Sequence, residues 1–129
     1  MPLPKLLIVD DSATIRKSVQ RLFDNAGYET IAACDGYEAL ECLVEDPALI
    51  VLDVNMPGLD GYGVCEKLRE MGPKYDQLPI VFLTSVESRA MELLGREFGA
   101  YLNKPVQPEE LLGVVEELLA EAQAANTTS

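Results

Sequence analysis

The sequence predicts an α/β fold: a single five-stranded parallel sheet, doubly wound as (βα)5, with helices on both faces. Three observations predict it. Short, almost wholly apolar runs such as KLLIVD, ALIVLD and LPIVFL recur along the chain. Between them lie segments with helical apolar periodicity. Gly and Pro punctuate the boundaries. Strands that are apolar throughout are buried on both faces, as parallel strands are. Right-handed crossovers then restrict the topology to a doubly wound sheet. A length of 129 residues suits one domain.

Each element follows from local signals. Lys5–Asp10 reads as the first strand, and Ser12 offers a side-chain oxygen to cap the helix after it. Ile15, Val19, Leu22, Phe23 and Ala26 form that helix's stripe, and Gly27 stops it. Glu29–Cys34 is a second, weaker strand. Tyr37–Glu45 makes a short helix expected to bury Ala39, Leu40, Leu43 and Val44, ended by Asp46-Pro47. Ala48–Asp53 is the third strand, and a loop with Pro57-Gly58 follows. A helix near Gly61–Met71 turns Val64 and Leu68 inward, and Gly72-Pro73 breaks it. Leu78–Leu83 is the fourth strand. Glu87–Phe98 forms the fourth helix, weakened at Gly95 by about 1 kcal/mol relative to Ala. Ala100–Asn103 is the fifth strand, and Pro108–Ala124 is the last helix, with Leu111, Leu112, Val115, Leu118 and Leu119 inward. The domain is thus expected over residues 1–124, with a disordered tail over 125–129.

Composition narrows the chemistry. Ten Lys and Arg against 22 Asp and Glu give a net charge of −12. Such a surface repels nucleic-acid phosphates, so no direct nucleic-acid contact is expected. The chain has no His, which excludes a His-based triad, a phosphohistidine carrier and a His-ligated zinc site. Cys34, Cys42 and Cys65 form no CxxC pair, and three unevenly spaced cysteines read as free thiols in a reducing compartment. No apolar stretch approaches the roughly 20 residues of a membrane span. A cytoplasmic protein without membrane contact is the expectation.

The polar residues at the strand ends carry the functional signal. The first strand ends in Asp10-Asp11, the third in Asp53, the fourth in Thr84-Ser85 and the fifth in Asn103-Lys104. In a parallel sheet those ends share one edge, where open α/β sheets bind ligands. Any one of these residues can be a helix cap, but four strands ending this way point to a site. Three carboxylates and one ammonium leave a net negative cluster that a hard cation would neutralise. Mg²⁺ suits carboxylates and water, and soft metals are disfavoured without His or thiolate. Lys104 can stabilise a transferring phosphoryl group as a point charge. Asp53 is the best nucleophile: it stands alone at the end of the central apolar strand, before a bendable Pro-Gly loop.

The fragments IVDDS, VLDVNMPGLDG, FLTS and YLNKP, in this order, resemble the receiver domain of bacterial two-component response regulators, the CheY-like family, across essentially the whole chain. The resemblance implies the flavodoxin-like strand order 2-1-3-4-5. It also assigns roles. Asp53 matches the aspartate that accepts a phosphoryl group. Asp11 matches a direct Mg²⁺ ligand, Asp10 an acid acting mainly through water, and Asn55 the position whose backbone carbonyl binds the metal. Lys104 matches the phosphate-binding lysine, with a cis peptide expected before Pro105. Thr84 matches the hydroxyl that moves toward the phosphoryl group, and Ser85 the small neighbour that keeps the phosphate pocket open. Tyr101 resembles the aromatic switch that follows Thr84. Asn55 and Val86 sit where family members tune hydrolysis of the acyl-phosphate.

One departure stands out. Thr84 to Lys104 spans 20 positions, about two fewer than is common in the family, with FGAYL where a longer stretch is usual. The helix over 87–98 or its exit must therefore be short or oddly placed.

The resemblance further implies a sensor histidine kinase or phosphotransfer protein as donor. It places a downstream protein target on the face of the fourth helix, fifth strand and fifth helix, and leaves open a homodimer on activation. From Pro105 onward there are five Glu and no Lys or Arg, so a basic or mixed partner face is expected. The protein is expected to be a single-domain regulator and not an enzyme, catalysing only its own phosphorylation and dephosphorylation. The alternatives are a receiver cut from a longer regulator and a receiver-like interaction module. An Asp-nucleophile phosphatase would want an acid two residues after Asp53, where Asn55 stands. A flavodoxin-like FMN binder would not place DDSATIRK at its phosphate loop.

Overall fold

In the computed structural model, which describes residues 4–54, 61–85 and 88–127, five parallel strands form one sheet. They are β1 (Lys5–Val9), β2 (Glu29–Ala33), β3 (Leu49–Asp53), β4 (Ile80–Thr84) and β5 (Gly99–Asn103), in the order β2-β1-β3-β4-β5. The described helices are α1 (Ala13–Asn25), α2 (Gly36–Glu41), α3 (Gly61–Glu70), α4 (Pro73–Asp76), α5 (Arg89–Phe98) and α6 (Pro108–Thr127). The predicted fold class and strand order are those observed.

Alternation along the strands divides the core into two. Leu7, Val9, Ile50, Leu52, Ile80 and Phe82 face α2, α3 and α5. Leu6, Ile8, Leu49, Val51, Val81 and Leu83 face α1 and α6, where they meet Phe23, Leu111 and Val115. The central strands are buried on both faces, which explains their uninterrupted apolar runs.

Several elements differ from the sequence expectation. The helix over 37–45 is two pieces, α2 and a 3₁₀ turn over Cys42–Glu45 that closes on Asp46 in the left-handed region at φ 58°. The tighter turn keeps Leu43 buried but swings Val44 outward to 88% exposure. Ile15 is exposed as well, at the lip of an apolar groove between α1 and α6. Pro73 ends α3 as expected but also starts α4 at a position where its missing N–H costs nothing, after Gly72 at φ 108°. β4 begins at Ile80, since Pro79 contributes only its carbonyl, to Ile50 N–H at 3.0 Å. α6 runs on to Thr127, beyond the predicted end at Ala124.

The predicted shortening before Tyr101 falls at the exit of α5. Phe98 is the last helical residue and Gly99 the first of β5, so no loop separates them. The pairing of β5 with β4 is intact, Phe82 opposite Tyr101 and Thr84 opposite Asn103.

Candidate functional site

The site follows from strand register. Val9 pairs with Leu52, Asp53 with Leu83, and Thr84 with Asn103. The residues just past β1 and β5 therefore lie beside the last residues of β3 and β4. Backbone hydrogen bonds carry the alignment past the strand ends: Asp10 N–H to Ala33 C=O at 3.2 Å, Val54 N–H to Leu83 C=O at 3.0 Å, and Lys104 N–H to Thr84 C=O at 2.8 Å.

Asp10, Asp11 and Asp53 converge there, each offering a carboxylate oxygen within 4.8 Å of the others. Asp10 and Asp53 are each 2% exposed, while Asp11 is exposed. Lys104 Nζ donates to Asp53 Oδ1 at 3.0 Å. Ser12 N–H donates to Asp10 Oδ1 at 2.8 Å, and Arg16 Nη1 donates to the Asp10 carbonyl at 2.7 Å. Ser12 also caps α1, its Oγ accepting from Ile15 N–H at 3.4 Å. The turn after β1 is thus held from both sides, which fixes where Asp10 points. Arg16 was not singled out in the sequence. Its place four residues after the capping Ser12 is the sequence signal for it.

The electrostatics are unbalanced. Asp10 Oδ2 is buried and has no hydrogen-bond partner among the described residues. Burial raises the Asp10 carboxyl above its ordinary range; the Ser12 N–H pulls it back, Asp53 raises it, Lys104 lowers it and Asp11 raises it again. A buried anion with an orphaned oxygen is costly unless something positive meets it. Three carboxylate oxygens and no His or thiolate in the cluster form the donor set of a hard divalent cation. The residues present fit Mg²⁺.

Thr84 is 2% exposed at the end of β4, and Ser85 is exposed beside it. The Lys104–Pro105 peptide is cis. Tyr101 is half-buried on β5, on the core face that holds Phe82 and Phe98. Asn55 and Val86 lie outside the described residues. Gly95 carries more than the weakening of a helix expected for it. A Cβ there would lie 2.9 Å from Tyr101 Cδ1, so the glycine is where the ring meets α5. Cys34 and Cys42 are free thiols whose thiolates are disfavoured, Cys34 first by its hydrogen bond to Glu38 and Cys42 first by burial, with nearby carboxylates adding to both.

The family model described as "Response regulator receiver domain" matches residues 6–116. The "Probable transcriptional regulator ycf27" of Cyanophora paradoxa is 43% identical over 130 residues, covering 97% of this chain and 53% of that protein. "Response regulator MprA" of Mycobacterium ulcerans is 44% identical over 118 residues, covering 89% of this chain and 50% of that one. The chain spans about half the length of the curated relatives it matches. Among solved structures, the chemotaxis protein CheY4 of Vibrio cholerae superposes with a TM-score of 0.81 at 36% identity, over 90% of this chain and 98% of that one.

Proposed function

The chain belongs to the response regulator receiver domain family, and from that premise we propose that it accepts a phosphoryl group on Asp53 in a Mg²⁺-dependent transfer from a phosphohistidine. The donor is a sensor histidine kinase or a phosphotransfer protein. A carboxylate oxygen of Asp53 attacks phosphorus, the P–N bond of the phosphohistidine breaks, and its electron pair returns to the imidazole. The product is an acyl-phosphate on Asp53. The observation that carries this reading is the convergence of Asp10, Asp11 and Asp53 within 4.8 Å, with the Lys104 ammonium on Asp53.

Bound Mg²⁺ would supply charge neutralisation between the carboxylates and the incoming phosphoryl oxygens. Asp10, Asp11 and Asp53 would hold it, with the backbone carbonyl of Asn55 as a further ligand. Lys104 orients Asp53 in the resting domain and meets the phosphoryl oxygens after transfer. Thr84 and Ser85 line the phosphate position at the end of β4. Thr84 and Tyr101 read out the new charge, which amounts to nearly −2 and brings new acceptor oxygens.

A receiver domain is a signalling module, and we assign it no turnover of a separate substrate beyond its own phosphorylation and the hydrolysis that resets it. Output goes through protein contact on α5, β5 and α6, where Glu109, Glu110, Glu116 and Glu117 are exposed and favour a basic or mixed partner, a second copy included. A net charge of −12 keeps the domain itself off nucleic acid. The length of the relatives favours a second reading of the output: the same receiver serving a longer transcriptional regulator, with DNA contacts made outside it.

The test is incubation with acetyl phosphate or beryllofluoride in the presence and absence of Mg²⁺, read by intact mass or fluorine NMR. A Mg²⁺-dependent adduct that disappears in Asp53→Asn is expected. No adduct in the wild type, or an undiminished one in Asp53→Asn, would leave only an interaction module.

A further inference from the structure

The junction of α5 and β5 carries two close approaches that ordinary side chains would not allow. At Gly99 a Cβ would lie 2.3 Å from the Ile80 carbonyl oxygen, so the chain passes from helix to sheet against the backbone of β4. At Gly95, one helical turn earlier, a Cβ would lie 2.9 Å from Tyr101 Cδ1 and 3.3 Å from the Tyr101 backbone nitrogen. The ring of Tyr101 therefore rests on bare helix backbone. With no loop between Phe98 and Gly99, there is no slack in which α5 and β5 could shift independently. The far side of α5 is held by α3: Arg69 pairs with Glu97 and lies over the Phe98 ring at 4.8 Å, and Tyr62 OH donates to Met91 Sδ at 3.4 Å.

We propose that Gly95 is a positioning residue for Tyr101: the missing Cβ forms the notch in α5 that seats the ring, so that ring position and helix position are one mechanical variable. In this chain a move of α5 toward β5 displaces the ring, and a ring that leaves the notch uncovers bare helix backbone. The consequence for signalling rests on Asp53 being the phosphoacceptor. The coupling itself does not, and it is tested without phosphorylation.

The experiment labels the full chain with 3-fluorotyrosine and follows the five fluorine signals, assigning Tyr101 by its loss in Tyr101→Phe. Gly95→Ala should move the Tyr101 signal in the metal-free protein. Tyr28, which meets Phe23 edge-to-face on the opposite side of the sheet, and Tyr37 on α2 should stay in place as internal controls. Urea unfolding of Gly95→Ala, Tyr101→Ala and the double variant then measures the coupling. The added methyl should be harmful with the ring present and harmless or helpful without it, a non-multiplicative effect of at least about fivefold on the unfolding constant. If Gly95→Ala alone does not fold, the double variant should. An unmoved Tyr101 signal, effects that simply multiply, or a double variant that fails to fold would each overturn the proposal. A moved signal in a protein that forms no Asp53 adduct would overturn the phosphoacceptor reading instead and leave the notch standing.

Discussion

Replacing Asp10 by Asn should stabilise the metal-free domain and remove most of its response to Mg²⁺. The side chain is 2% exposed, its Oδ2 has no partner among the described residues, and the Asp53 carboxylate lies within 4.8 Å. Two unit charges at 4.8 Å repel by about 3.5 kcal/mol at an effective dielectric of about 20. Lys104 and the Ser12 N–H offset part of that repulsion, but the net environment still disfavours the Asp10 charge. Asn keeps Oδ1 as an acceptor for Ser12 and places a donor where the orphaned oxygen was. A net gain of about 1–2 kcal/mol is expected. With an unfolding entropy of about 2.1 cal/mol/K per residue, 129 residues give about 0.27 kcal/mol/K, so each kcal/mol moves Tm by about 4 °C. Calorimetric melting in metal-free buffer should therefore show Asp10→Asn about 4–8 °C above wild type. Mg²⁺ at about 100 times its Kd should stabilise the wild type by about 2.7 kcal/mol, or roughly 10 °C. The variant should show only a fraction of that shift. A variant that melts at or below wild type without metal, or keeps the full Mg²⁺ shift, would refute the electrostatic argument.

Three further outcomes follow from the same geometry. Because the folded domain raises the Asp10 carboxyl, this group's stabilising contribution is present below its unfolded pKa and lost as pH rises through the folded one. The Tm advantage of Asp10→Asn over wild type should thus be full at neutral pH and shrink as pH falls through the raised value. The wild-type Mg²⁺ shift, which needs the ionised carboxylate, should fade over the same interval in a pH series of melts. Lys104→Met removes the ammonium 3.0 Å from Asp53 Oδ1 and leaves a buried charge beside Asp10. Since the Lys104 side chain is 26% exposed, the cost should be about 2–3 kcal/mol, below that of a fully buried pair, and Mg²⁺ should recover much of it in denaturant titrations. Gly99→Ala drives a methyl into the Ile80 carbonyl and should lower stability by about 3 kcal/mol or more, read as a drop in the urea midpoint.

How far the residues could be read in advance varies with the range of the interactions. The buried strands were legible because burial on both faces requires continuous apolar runs, and Asp10, Asp53, Thr84 and Lys104 were legible as abrupt polar ends to those runs. Val44 was misread because a helical stripe assumes one continuous α-turn. The change to 3₁₀ geometry at Cys42 rotates the last residues, and no single residue announces it. Gly95 looked like a soft spot in a helix because propensity describes the helix alone. Its neighbour Tyr101 arrives from another element.

By itself, the sequence determined the parallel doubly wound domain and the edge where its acids gather. Those properties depend on residue type and on the order of elements along the chain. Only the tertiary structure decided that Asp10 carries an orphaned oxygen, that Lys104 sits on Asp53, and that the shortened segment is absorbed at the Phe98–Gly99 junction, with the Tyr101 ring seated on Gly95. Each of these is a distance between groups far apart in the chain or on adjoining elements, and such distances exist only once the elements are packed.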